Sequence, residues 1–169
     1  MARHLVVGNQ TLLSRELRAV LEERAQAEEA ECHIHVVVPD TPMDHYRSPV
    51  KGPRYSFAPA EDDGPTMAEH RLEVALDEFS SLDAIVTGVV GDEKPLAAIH
   101  HALAIDDYDE IIVSTFPAGL SRWLRTNIID RLAEEVDLPV THVVGTLDPA
   151  VEDRRRHEEL VRSLQDGDD

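Results

Sequence analysis

Residues 114 to 125 read STFPAGLSRWLR and stand between a short apolar run, Ile111-Ile112-Val113, and a row of apolar residues at helical spacing. Leu124, Ile128, Leu132 and Val136 step by four, which puts them on one face of a single long helix. Strand, polar loop and amphipathic helix together form the half-unit from which α/β sheets are built. The loop collects hydroxyls at Ser114, Thr115 and Ser121, the backbone-shaping Pro117 and Gly119, the cations Arg122 and Arg125, and the lone tryptophan, Trp123. Free N–H groups at a helix start favour an anion, and an arginine adds a charge-assisted contact, so this is where a small-molecule site is expected. The competing reading is that Trp123 and Leu124 anchor the helix by packing while the arginines face solvent.

The same alternation extends in both directions. Leu5-Val6-Val7 reads as a buried strand ended by the turn-rich Gly8-Asn9-Gln10-Thr11, and Leu13, Leu17, Val20 and Leu21 recur at helical spacing through about Glu29. Cys32 to Val38 is a second strand with Ile34, Val36 and Val38 on one face and His33 and His35 on the other. Leu72, Leu76 and Phe79 mark a second helix, and Ala84 to Val90 a third strand, apolar enough to be covered on both faces. Gly91-Asp92-Glu93-Lys94-Pro95 is helix-start chemistry, with Leu96, Ile99 and Leu103 inward and His100 and His101 at the surface. A fifth strand is expected at Val140 to Val144. Five strands alternating with four helices predict an open, doubly wound parallel sheet of Rossmann-like α/β type, with ligands at the carboxyl ends of its strands. The loop after residue 113 is expected to face Asn9 across that crevice.

Residues 1–145 read as one α/β domain and residues 146–169 as an acidic, partly helical extension. Within the first of these, residues 41–66 lack periodicity and hold five of the ten prolines together with Tyr46, Arg47, Lys51, Arg54, Tyr55 and Phe57. Such a segment is either a floppy insertion or a lid over an anionic ligand.

Sixteen basic against 34 acidic residues leave a formal charge of -18, which repels phosphate backbones and anionic membranes and argues against nucleic acid as a partner. A single cysteine, Cys32, excludes an internal disulfide and reads as a buried thiol. No apolar stretch is long enough to span a bilayer, so a soluble, cytoplasmic protein is expected. His33 and His35 lack the further ligands a metal site recruits, and no nucleophile–base spacing is recognisable. No metal site and no catalytic residue is therefore expected.

The residues GDEKPLAAIHHA, YDEIIVST, GLSRWLRTNIIDRL and LPVTHVV, in this order, resemble the universal stress protein superfamily over about Arg3 to Val144. The resemblance implies a nucleotide crevice lined from Asn9, Val38, Gly91, Ser114, Thr115, Gly119, Ser121, Arg122 and Asn127, with ATP or another adenine nucleotide as its ligand. It also implies homodimers joined through the fifth strand. Nucleotide-binding members carry Gly-x2-Gly-x9-Gly-Ser/Thr after the fourth strand and an Asp after the first. Here the glycine positions fall on Ser114, Pro117 and Thr126, the hydroxyl on Asn127, and the Asp on Asn9. Side chains then stand where phosphates would lie, and Pro117 has no N–H to offer. The leading expectation is a non-enzymatic, stress-protein-like binding or regulatory protein without a bound cofactor, its ATP motif degenerate. The alternatives are a nucleotide- or small-anion-binding protein that uses loop side chains in place of backbone amides, and a hydrolase on the same scaffold.

Overall fold

A parallel strand that is apolar on both faces is stable only between two layers of helices. Leu5, Val6 and Val7 are fully buried, and their strand, Ala2–Val7 (β1), lies in the middle of the sheet. The computed structural model describes residues 1–27, 31–40, 67–117 and 121–145, together with the backbone but not the side chains of Met67 and Arg122. The lid reading for residues 41–66, the helical extension at 146–169 and Gly119 lie outside the described residues.

After β1 come α1 (Arg15–Ala27), β2 (Cys32–Pro39), α2 (Met67–Phe79), β3 (Ile85–Gly91), α3 (Pro95–Ile105), β4 (Glu110–Thr115), α4 (Arg122–Arg125), α5 (Ile128–Glu135) and β5 (Val140–Val144). The five strands are all parallel in the order β3-β2-β1-β4-β5. Val6 pairs with Val36 on one side and Ile112 on the other. Alternation then divides the core. Val6, Ile34, Val36 and Ile112 pack with Leu17 and Leu21 of α1 and Ala75 and Phe79 of α2. Leu5, Val7, Ile111 and Val113 pack with Ala98 and Ile99 of α3 and Ile128 and Leu132 of α5. Cys32 is buried.

Two expectations need correction. β3 is an edge strand and not a doubly covered one: Ile85 and Val89 are 41% and 46% exposed. Its apolar run covers one face, under α2, and leaves the other open. The expected single helix from Leu124 to Val136 is also broken, because Asn127 takes a left-handed backbone (φ 52°, ψ 41°) between α4 and α5. Leu124 and Ile128 keep the step of four, but the chain turns between them. The Asn127 N–H closes the turn on Leu124 O at 3.2 Å, and the Thr126 hydroxyl donates to Trp123 O at 2.9 Å.

The amino end of the sheet is tied by one buried carboxylate. Glu110 accepts from Arg24 Nε and Nη2 at 2.9 and 3.0 Å, from His4 Nδ1 at 2.9 Å and from the Thr141 hydroxyl. Its contacts join α1, β1, β4 and β5. Burial by itself would raise the Glu110 pKa, but the hydrogen bonds from Arg24 and Thr141, the Arg24 charge and the His4 contact outweigh it and lower the pKa to about 2. A carboxyl with a depressed folded pKa contributes stability that is present above its unfolded pKa and lost as pH falls toward the folded one. Arg24 is 27% exposed and so partly rehydrates when unpaired. Glu110→Gln is therefore expected to lower stability at pH 7 by roughly 2–3 kcal/mol in urea denaturation. The gap from the wild type should close between about pH 4.5 and pH 2 as the wild-type carboxyl protonates.

Candidate functional site

In an open α/β sheet the crevice lies where the chain's path reverses direction, between strands whose crossovers run to opposite faces. The order β3-β2-β1-β4-β5 places it between the carboxyl ends of β1 and β4. The loop from Gly8 to Ser14 follows β1, and Phe116 and Pro117 follow β4.

Short hydrogen bonds close this crevice. Thr11 Oγ1 and Ser114 Oγ are 2.6 Å apart across it, with Thr11 2% and Ser114 1% exposed. Leu12 fills the space beneath: a Cβ on Gly8 would stand 2.8 Å from Leu12 Cδ2. Gly145, just past β5, donates its N–H to Thr115 O at 2.8 Å and lies so near Ser14 that a Cβ there would stand 2.8 Å from the Ser14 hydroxyl. The Ser14 hydroxyl itself accepts from Leu17 N at 3.2 Å, starting α1.

Of the residues expected at the site, the structure brings Ser114 and Thr115 to the crevice and gives each internal work. The Thr115 hydroxyl donates to Phe116 O at 2.8 Å and lies 2.7 Å from His142 Nε2, which supplies the other proton of that pair. Burial lowers the His142 pKa, which keeps the imidazole neutral and suits this donor role. Since the Thr115 proton is directed at a carbonyl and not at the imidazole, the pair lacks the geometry of a nucleophile and its base. Ser121 caps α4, its hydroxyl accepting from Leu124 N at 3.3 Å. Asn9 turns away from the crevice: its amide donates to Pro39 O at 3.1 Å and its carbonyl accepts from Arg71. The residue that meets Ser114 across the crevice is thus Thr11, and not Asn9.

Val38 is fully buried in the core beneath α1 and α2. Gly91 ends β3, where its carbonyl accepts from Asp40 N at 3.1 Å, on the far side of β2 and β1 from Ser114. Asn127 is exposed at the start of α5. Those of the expected residues that the structure describes are therefore spread along the carboxyl end of the sheet without converging on one point.

Spatial pairs that no linear spacing announces lie elsewhere. His100 Nε2 is 2.7 Å from Glu135 Oε2 on the outer surface of α3 and α5, and His4 meets Glu110 inside the core. At the opposite end of the sheet, Arg3, His33, His35, Thr87, Asp106 and Tyr108 line a small depression. There Arg3 Nη1 donates to Asp106 at 2.8 Å, His35 Nδ1 lies 2.8 Å from Thr87 Oγ1, and the His35 and Tyr108 rings stack 6.1 Å apart. The alternation of β2 placed both histidines on one face, but Tyr108 and Thr87 reach them only through pairing and crossover. Among the described residues no group of three or more His, Cys, Asp or Glu is arranged to hold a metal ion, and no helix is long and apolar enough to cross a membrane.

The left-handed turn at Asn127 is testable alone, because Asn and Gly tolerate that conformation and branched residues do not. Asn127→Gly is expected to leave the thermal midpoint nearly unchanged, whereas Asn127→Val costs roughly 1–2 kcal/mol.

No family model matches the sequence, and no curated protein matches it. A solved structure does match: a universal stress protein from Archaeoglobus fulgidus, with a TM-score of 0.53 and 14% identity over 85% of this chain and 93% of that one. By its parallel sheet, strand order and helical layers, this chain has the α/β fold of that universal stress protein.

Proposed function

We propose that the protein is a non-enzymatic binding or regulatory protein of the universal stress protein type, and that its crevice does not take ATP in that family's usual manner. The observation that carries this reading is the 2.6 Å contact between Thr11 and Ser114. It spans the crevice at the position where the family pattern calls for a glycine, which would leave room for a phosphate. Supporting it, the hydroxyls of Thr115 and Ser121 are committed to His142, Phe116 and Leu124, and the Asn9 amide to Pro39. A phosphate entering here would have to break several satisfied buried hydrogen bonds, each costing about 1 kcal/mol or more to lose. The same commitments weigh against an anion site built from these side chains. At the crevice itself the Thr115 hydroxyl is directed at Phe116 O and not at His142, which favours binding over hydrolysis there.

Calorimetry with magnesium and ATP is the direct test: injections are expected to give only heats of dilution, and tight, saturable binding would overturn the reading. Protein purified without added nucleotide should likewise give a native mass equal to a whole number of polypeptides with no ligand added.

The assembly that goes with this reading is a homodimer joined at β5. That strand is an edge of the sheet, with Val144 44% exposed, and an unpaired edge needs a partner or a cover. Native mass spectrometry is expected to report a dimer that Val144→Lys converts to monomer with unchanged circular dichroism. A monomeric wild type would refute this assembly.

A further inference from the structure

The opposite edge of the sheet has a different character. β3 reads IVTGVVG and carries no charge, no proline and no lysine, in a chain of which 30% is charged. These are the devices by which exposed edges are ordinarily blunted. Gly91 O accepts from Asp40 N, so the main chain of residue 91 points toward β2. Main-chain direction alternates along a strand, which turns the N–H and C=O groups of Val86, Gly88 and Val90 outward, unclaimed by β2.

The side chains beside this edge form an apolar floor with an acidic rim. Ile85, Thr87 and Val89 are exposed on the open face. On the other face Leu72 and Leu76 of α2 sit over Gly88. Glu73, about 100° further round that helix than Leu72, is exposed beside them. Asp83 precedes the strand, and Asp92 and Glu93 follow it, all exposed.

We propose that the β3 edge is a docking site for an extended segment of a partner protein with alternating apolar and basic side chains, which adds to the sheet as a further parallel or antiparallel strand. Its main chain pairs with Val86, Gly88 and Val90. Its apolar side chains cover Ile85 and Val89, and its basic ones meet Glu73, Asp83 and the Asp92-Glu93 pair. Charge complementarity selects this occupant over a second copy of the chain. Antiparallel self-pairing centred on Thr87 would bring Asp83 of one copy beside Asp92 and Glu93 of the other, and each copy carries a charge of -18.

The test uses the full-length, 15N-labelled protein and the synthetic peptide acetyl-KVKVKVKV-amide, with acetyl-EVEVEVEV-amide as control. Expected are saturable shifts and slowed hydrogen exchange at the amides of Val86, Gly88 and Val90 with the basic peptide alone, weakened several-fold as added salt screens the rim. Val89→Lys, at a position 46% exposed, should abolish these changes, and Glu73→Lys should weaken them several-fold, with the rest of the spectrum intact in both. Three results would each overturn the proposal. One is non-saturating shifts spread over all acidic helix faces; another is undiminished binding by Val89→Lys. The third is slow exchange at Val86, Gly88 and Val90 before peptide is added, which would mean that a second copy or another part of this chain already occupies the edge.

Discussion

The central strand β1 must have a strand on each side and a helical layer on each face, and most of the architecture follows from that requirement. Leu5, Val6 and Val7 have no exposed surface, so neither face of the strand tolerates water. Their main-chain groups alternate between β2 and β4, which therefore lie on either side and run parallel to β1. Parallel neighbours need crossovers, and right-handed crossovers from a strand in the middle of a sheet lead α1 and α2 to one face and α3 and α5 to the other. The crevice between β1 and β4 is a geometric by-product of this winding.

Hydrogen bonds between buried polar side chains tie both ends of the sheet, with different consequences, although His4 Nε2 at the amino end has no partner among the described residues. At the amino end Glu110 joins four elements through charge-assisted hydrogen bonds, a role for which its ionised form is held well below the usual carboxylate range. At the carboxyl end Thr11, Ser114, Thr115 and His142 use short neutral hydrogen bonds to close a space that a Rossmann-like sheet ordinarily leaves open. Hydroxyls that accept and donate within the fold have little capacity left for a phosphate. Main-chain groups that no neighbouring strand claims remain along the two sheet edges, where β3 is uncharged but framed by acids and β5 is short.

Much of the fold was legible residue by residue. The apolar run of Leu5 to Val7, the alternation of Ile34, Val36 and Val38, and the span Val140 to Val144 correspond to β1, β2 and β5. The candidate loop was also found at the carboxyl end of β4, opposite the loop after β1. The break at Asn127 was not legible, because Leu124 keeps the step of four ahead of the buried Ile128 and Leu132 and the apolar period runs through unbroken, although it is Trp123 that packs against the core before the turn. A left-handed residue leaves no trace in that period. The open face of β3 was missed because Ile85 and Val89 are as apolar as core residues, and covering is a property of neighbours.

The order of strands and helices, the aliphatic core and the replacement of phosphate-loop glycines at Ser114, Pro117 and Thr126 were determined by the sequence itself, since periodicity and residue type are local quantities. Tertiary structure alone decided that Thr11 and not Asn9 meets Ser114, that His142 serves Thr115, that Glu110 gathers Arg24, His4 and Thr141, and that β3 lies at an edge. Each of these depends on which strands become neighbours and at what register. That choice is made by the burial of whole faces, a sum over residues far apart in the chain, and so no short stretch of sequence contains it.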